Sequence, residues 1–76
     1  MTIHHALLPP ELWMQQVFDA KAAREGGIVR RSVRDIERTI GRTAFFREIE
    51  RRGYQAIENG GQVVIFCNAE PIRRFR

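Results

Sequence analysis

The sequence has one cysteine, one lysine and no long apolar run. Cys67 alone excludes an internal disulfide or a site built from several cysteines, and its apolar surroundings favour a buried structural role. No stretch approaches the roughly 20 apolar residues that span a bilayer. The first ten residues have neither a charged leader nor a long apolar segment. We therefore expect a cytoplasmic protein that does not enter the membrane.

Residues that usually carry catalysis are scarce as well. There is no glycine-rich phosphate loop, no nucleophile close to a histidine in the predicted folded region, and no carboxylate pair in an apolar setting. His4 and His5 are adjacent but lack further ligands for a metal, so we expect them to be solvated. The sequence predicts a protein that is not an enzyme and has no cofactor, metal or small-molecule substrate.

Basic charge is abundant by contrast and comes almost entirely from arginine. The net charge is +4, and Lys21 is the single lysine among 13 basic residues. The planar guanidinium suits phosphate and carboxylate, although a GC-rich genome also raises arginine content. Basic residues exceed acidic ones only after residue 25, so a charged partner is expected to contact the later part of the chain.

The apolar residues between Val33 and Gly53 would lie on two opposite faces of one continuous helix. One face would carry Val33, Ile36, Ile40 and Ala44, and the other Phe45, Phe46 and Ile49. A break at Gly41-Arg42-Thr43 lets two short helices turn both sets toward one core. This pattern predicts a pair of helices, the first capped by Ser32 and the second by Thr43 and ended by Gly53.

The elements around this pair follow from turn signals and periodicity. A helix is predicted from Glu11 to Arg24, with Trp13, Met14, Val17, Phe18 and Ala22 on its apolar face. Ile28 to Ser32 is typical of an edge strand. Tyr54 to Glu58 and Gln62 to Cys67 flank Asn59-Gly60-Gly61, a strong hairpin signal, and the second of these strands is apolar enough to be central, with both faces shielded.

The predicted fold is therefore α+β, with three helices and a three-stranded antiparallel sheet in the order α-β-α-α-β-β. We expect a flexible arm over residues 1–10, one domain over residues 11–71 and a basic tail over residues 72–76. The side chains expected to be mostly buried are Ile36, Ile40, Phe45, Phe46, Ile49, Val63, Ile65 and Phe66.

Arginines collect on the predicted solvent faces of the helix pair. The second helix of the pair would present Arg47 and Arg51, with Thr43 at its start, and the first would carry a stripe of Arg34, Arg38 and Arg42. Further phosphate contacts are expected from Arg30, Arg31, Arg73, Arg74 and Arg76. The alternative interpretation is a solvated charged surface balanced by Asp35, Glu37, Glu48 and Glu50.

The segment from Ser32 to Cys67 resembles the winged helix-turn-helix of excisionase-like and MerR-like bacterial regulators: a helix, a glycine turn, a second helix and a glycine-tipped hairpin. This resemblance implies DNA binding by the second helix. Glu37 stands where that family usually has a small residue, and Arg42 where an apolar one is common. The block from Val29 to Asn68, especially RRSVRDIER and RRGYQAIENGGQVVIFCN, also resembles short bacterial proteins that sometimes carry a phosphoribosylanthranilate isomerase label. A chain of 76 residues excludes that activity, because the enzyme needs a barrel of about 250 residues.

Two functions remain open at this stage. The first is a small nucleic-acid-binding regulator that uses the basic helix. The second is a protein-interaction module, either a homodimer or an adaptor for an acidic partner. Exposed apolar side chains would favour the second function, and the candidates are Trp13, Met14 and Phe75.

Overall fold

The computed structural model describes residues 8–76, which form an α+β fold with a three-stranded antiparallel sheet. Residues 1–7 of the predicted arm, which include His4 and His5, lie outside the described residues. The helices are α1 (Pro10–Asp19), α2 (Lys21–Arg24), α3 (Val33–Thr39) and α4 (Arg42–Arg51), and the strands are β1 (Ile28–Ser32), β2 (Gln55–Asn59) and β3 (Gln62–Phe66). The predicted fold class and order of elements are confirmed, with the first helix divided in two.

The division of the first helix occurs at Ala20, whose backbone is extended (φ −57°, ψ 147°). One extended residue shifts the helical periodicity, so Ala23 rather than Ala22 faces the core. The prediction of one helix with Ala22 on its apolar face is wrong for this reason. Pro10 occupies the first turn of α1, where its missing N–H leaves no hydrogen bond unmade.

The break between α3 and α4 lies where the opposed apolar faces predict it, but Thr43 does not cap α4. Ser32 caps α3 as expected, since its Oγ accepts a hydrogen bond from the Asp35 N–H at 3.0 Å. Gly41 precedes α4 with a φ of 88° and makes no side-chain cap. Its N–H donates to the Ile36 carbonyl at 2.7 Å, which closes the turn. Thr43 therefore lies inside the first turn of α4.

Strand β3 occupies the centre of the sheet, as predicted, with β1 and β2 antiparallel on either side. The hairpin turn is one residue shorter than expected, because Asn59 still pairs with Gln62 at the end of the ladder. Gly60 and Gly61 alone make the turn, with φ values of 56° and 79°. Two positive φ angles are typical of a type I′ turn, whose twist matches that of the strands.

The core lies between the helices and one face of the sheet. Its buried side chains are Met14, Val17, Phe18, Ala23, Val29, Ile36, Phe45, Ile49, Val63, Ile65 and Cys67. Five of the eight predicted core residues are among them, whereas Ile40, Phe46 and Phe66 are only half-buried. The half-burial of Phe66 follows from strand alternation, because Ile65 and Cys67 point to the core and Phe66 therefore belongs to the other face.

The three side chains predicted to leave apolar surface exposed, Trp13, Met14 and Phe75, differ in their burial. Met14 is buried, Trp13 is half-buried beside Phe45, and Phe75 is 96% exposed. Cys67 is buried as predicted, and burial raises the pKa of its thiol. Among residues 8–76, each helix is too short or too polar to cross a membrane.

Candidate nucleic-acid interface

The solvent ridge of α4, defined here as Thr43, Arg47, Glu50 and Arg51, lies opposite the buried residues of that helix. Phe45 and Ile49 anchor α4 in the core, so the four ridge residues are exposed. Arg47 has no carboxylate within ion-pair distance among residues 8–76. The predicted ridge therefore exists, with Arg47 as its uncommitted cation.

Arg51 is exposed but already paired within α4. Its Nε and Nη2 donate to the two carboxylate oxygens of Glu48 at 2.9 and 2.6 Å. Arg52 donates to the same carboxylate at 2.7 Å and lies over the Phe18 ring at 4.6 Å. The hydrogen bond from Arg51 is the main cause that lowers the pKa of Glu48 to about 2, while partial burial opposes it. A phosphate that approaches Arg51 must compete with a fully ionised carboxylate.

Arg42 does not continue the arginine stripe of α3, because it starts α4 and turns to two carboxylates. Its Nε donates to Glu37 at 2.9 Å, and its Nη1 and Nη2 donate to the two oxygens of Glu58 at 2.8 and 3.2 Å. These hydrogen bonds raise the pKa of Arg42 and lower that of Glu58. We call Glu37, Arg42 and Glu58 the clamp, since it links α3, α4 and β2.

The clamp gives Glu37 and Arg42 a structural role. The two side chains bind each other on an exposed edge of the helix pair. The Glu37 carboxylate is therefore paired with Arg42 and lies outside the core. The helix pair closes through this contact and the packing of Ile36 and Phe45 below it.

The other arginines predicted to contact nucleic acid lie on α3, on β1 and in the tail. Arg34 and Arg38 are exposed on α3, and Arg38 also lines a groove beside Trp13 and Asp35. Arg30 is exposed on β1, while Arg31 is half-buried and donates to the Arg30 carbonyl at 2.6 Å. The exposed tail arginines are Arg73, Arg74 and Arg76.

The structure also shows a surface that the sequence analysis missed, which we call the outer face of the sheet. It consists of the strand residues that alternate with the core positions: Ile28, Arg30, Ser32, Gln55, Ile57, Asn59, Gln62, Val64 and Phe66. Ile28 and Ile57 are 49% and 46% exposed. On β3 itself, Val64 and Phe66 are half-buried, so the outer face of the central strand is shielded only in part. Pairing the three strands in register would have revealed this face.

No protein-family model matches the chain, and neither do the curated proteins or the solved structures with which it was compared. Among residues 8–76, no three His, Cys, Asp or Glu side chains converge as a metal site. A function therefore has to be inferred from the charged and apolar surfaces themselves.

Proposed function

We propose that the protein binds nucleic acid, with duplex DNA held against the solvent ridge of α4. The observation that carries this proposal is the number of arginines without an acidic partner. Of the twelve arginines, only Arg42, Arg51 and Arg52 form ion pairs within residues 8–76. Nine guanidinium groups therefore have no carboxylate partner there, and those that face the DNA are free to neutralise its phosphates, which supply a large share of the affinity for DNA.

The shape of the helix pair favours a duplex for this surface. A single exposed helix fits the major groove, which is about 12 Å wide, and arginine there can donate two hydrogen bonds to guanine. Arg47 lies in the middle of the ridge and Thr43 at its start, where residues of a recognition helix reach the bases. The order of helix pair and hairpin supports an arrangement like a winged helix.

The hairpin tip gives this proposal an unusual feature, because it carries no cation. Asn59 and Gln62 flank the turn, and Glu58 next to them is held by the clamp. Amide side chains and the N–H groups of Gly60 and Gly61 are the donors available there. We therefore assign most phosphate contacts to Arg34, Arg38 and the tail rather than to the hairpin.

A duplex-binding titration at several salt concentrations tests the proposal with a matched control. Arg73→Ala should lower the slope of log affinity against log salt by about 0.9 and weaken all sequences alike. Arg47→Ala should cost about 1 to 3 kcal/mol on preferred sequences only. Arg24→Ala removes from α2, a different helix, an exposed arginine that has no ion pair among residues 8–76, and it should change little.

Two results would overturn the proposal. One is the absence of binding to DNA or RNA at low salt, and the other is an equal loss in Arg24→Ala and Arg47→Ala, which would indicate a response to net charge alone. In the first case the protein-interaction module becomes the better function, since the partly exposed Ile28 and Ile57 supply an apolar surface for it. Sedimentation analysis over a range of concentrations would then test self-association.

A further inference from the structure

The outer face of the sheet combines apolar, amide and cationic groups. Apolar residues occupy four of its strand positions, and Phe66 lies between Ile28 and Gln55 in the register. Arg30 pairs with Val64 in the next row, and Ile57 completes that row. The other positions are polar and uncharged: Ser32, Gln55, Asn59 and Gln62.

No strand position of this face carries a carboxylate, and this absence helps to decide between a second copy of the chain and an anionic partner. If a second copy of the chain covered it by two-fold symmetry, Arg30 would meet only apolar or amide groups and the Arg30 of the other copy. A buried cation without an anion is costly. The charge of the face therefore suits an anionic partner better than a second copy.

The tail begins at one end of the outer face and adds more cations. The Gln55 amide donates to the carbonyls of Asn68 and Glu70 at 3.2 and 2.6 Å. The Asn68 side chain in turn donates to the Gly26 carbonyl at 2.8 Å. Because Gln55 shares the outer face with Phe66, these bonds hold the segment that leads into the tail at that end of the sheet. Glu70 is an exposed carboxylate in this segment, and the three tail arginines outnumber it.

The last four residues of the tail are Arg73, Arg74, Phe75 and Arg76, and all are exposed. Phe75 is 96% exposed and so contributes little to the fold. An aromatic ring between arginines is suited to stack on a base while the guanidinium groups bind the neighbouring phosphates. The tail and the outer face thus present the same two kinds of contact.

We propose that the outer face and the tail together bind a single-stranded nucleic acid, with unpaired bases against Phe66, Ile57 and Phe75 and phosphates on Arg30 and the tail. Single strands are favoured over a duplex because only unpaired bases offer their flat faces to apolar side chains. The amide side chains of Asn59 and Gln62 are placed to bond with base edges, while that of Gln55 stays bonded to Asn68 and Glu70. This site shares no residue with the solvent ridge of α4, although the tail arginines are assigned phosphate contacts in both proposals.

The test is a fluorescence anisotropy titration of a labelled 12-nucleotide oligothymidylate with the full chain. Ile57→Glu places a carboxylate on the outer face, and Ile57→Gln is its matched control, since it removes the same apolar side chain without adding charge. We expect Ile57→Glu to bind at least tenfold more weakly than Ile57→Gln. Phe75→Leu should weaken binding about fivefold or more through lost stacking, and its 96% exposure leaves the fold intact.

Each other outcome would overturn this inference. Equal affinities of Ile57→Glu and Ile57→Gln would place the oligonucleotide elsewhere. A loss in Arg47→Ala but in neither outer-face variant would assign single strands to the α4 ridge. A doubled mass that Ile57→Glu abolishes would show that a second copy covers the face. Duplex binding by the same variants separates this test from that of the α4 ridge, because Ile57→Glu should leave it nearly unchanged.

Discussion

Replacing Phe45 by alanine removes a ring that is 0% exposed and that packs against aromatic side chains of α1 and α4. Its centroid lies 5.9 Å from that of Trp13, 6.0 Å from Phe18 and 5.9 Å from Phe46. Truncating a buried phenylalanine costs about 3 to 5 kcal/mol, from lost transfer free energy and the cavity left behind. A domain of this size is stable by roughly 4 to 11 kcal/mol, so the substitution should remove between about a quarter and all of the free energy of unfolding.

Urea unfolding followed by tryptophan fluorescence measures this loss. With a slope of about 1 kcal/mol per molar urea, typical of a small domain, the midpoint should fall by about 3 M or more. Phe66→Ala is the comparison, because Phe66 is half-buried on the outer face and should cost about 1 to 2 kcal/mol. Phe75→Ala, on a 96% exposed ring, should stay within about 0.5 kcal/mol of the parent.

The structure predicts that the stability lost on substitution by alanine decreases in the order Phe45, Phe66, Phe75. The sequence alone predicts that Phe66 costs as much as any core phenylalanine. Equal losses for Phe45→Ala and Phe66→Ala would refute the assignment of Phe66 to the outer face. A Phe45→Ala midpoint within 1 M urea of the parent would refute the placement of the core itself.

Two further predictions concern acid stability and the hairpin turn. The pKa of Glu48 is lowered to about 2 by Arg51 and Arg52, against about 4.3 in an unfolded chain, so its stabilising effect is present above about pH 4.3 and is lost as the pH falls toward 2. Urea midpoints measured from pH 7 to pH 2 should fall less steeply in Glu48→Gln, and parallel curves would contradict this role. At Gly60, with a φ of 56°, alanine should lower the melting temperature several degrees more than asparagine, which tolerates positive φ; equal melting temperatures would argue against the type I′ turn.

The sequence predicted the helix pair and the sheet because both depend on strong local signals. The opposed apolar faces of residues 33 to 53 leave a single helix unable to bury both sets, and adjacent glycines fix the hairpin. The break at Ala20 has no such signal, since alanine favours a helix, and it accompanies the burial of Ala23 against the rest of the fold. Local propensity therefore predicted one helix where tertiary contacts produce two.

The candidate site was predictable in part for a similar reason. Exposure of Arg47 follows from helical periodicity once Phe45 and Ile49 are known to be buried. The partners of Arg42 do not, because Glu58 is 16 positions away in sequence and reaches Arg42 only when β2 lies beside α4. The outer face depends in the same way on the register of three strands.

The ion pairs also determine which arginines can define specificity. Arg42 is fixed by the clamp and Arg51 by Glu48, so the bidentate donor groups of both are already occupied in the free protein. An arginine that must leave a carboxylate before it binds a phosphate or a guanine gains only the difference between two similar interactions. Arg47 gives up no such contact, and it has a rigid helix beneath it. On the α4 ridge, discrimination between DNA sequences should therefore depend mainly on Arg47, while Arg42 links the helix pair to β2 and Arg51 stays paired within α4.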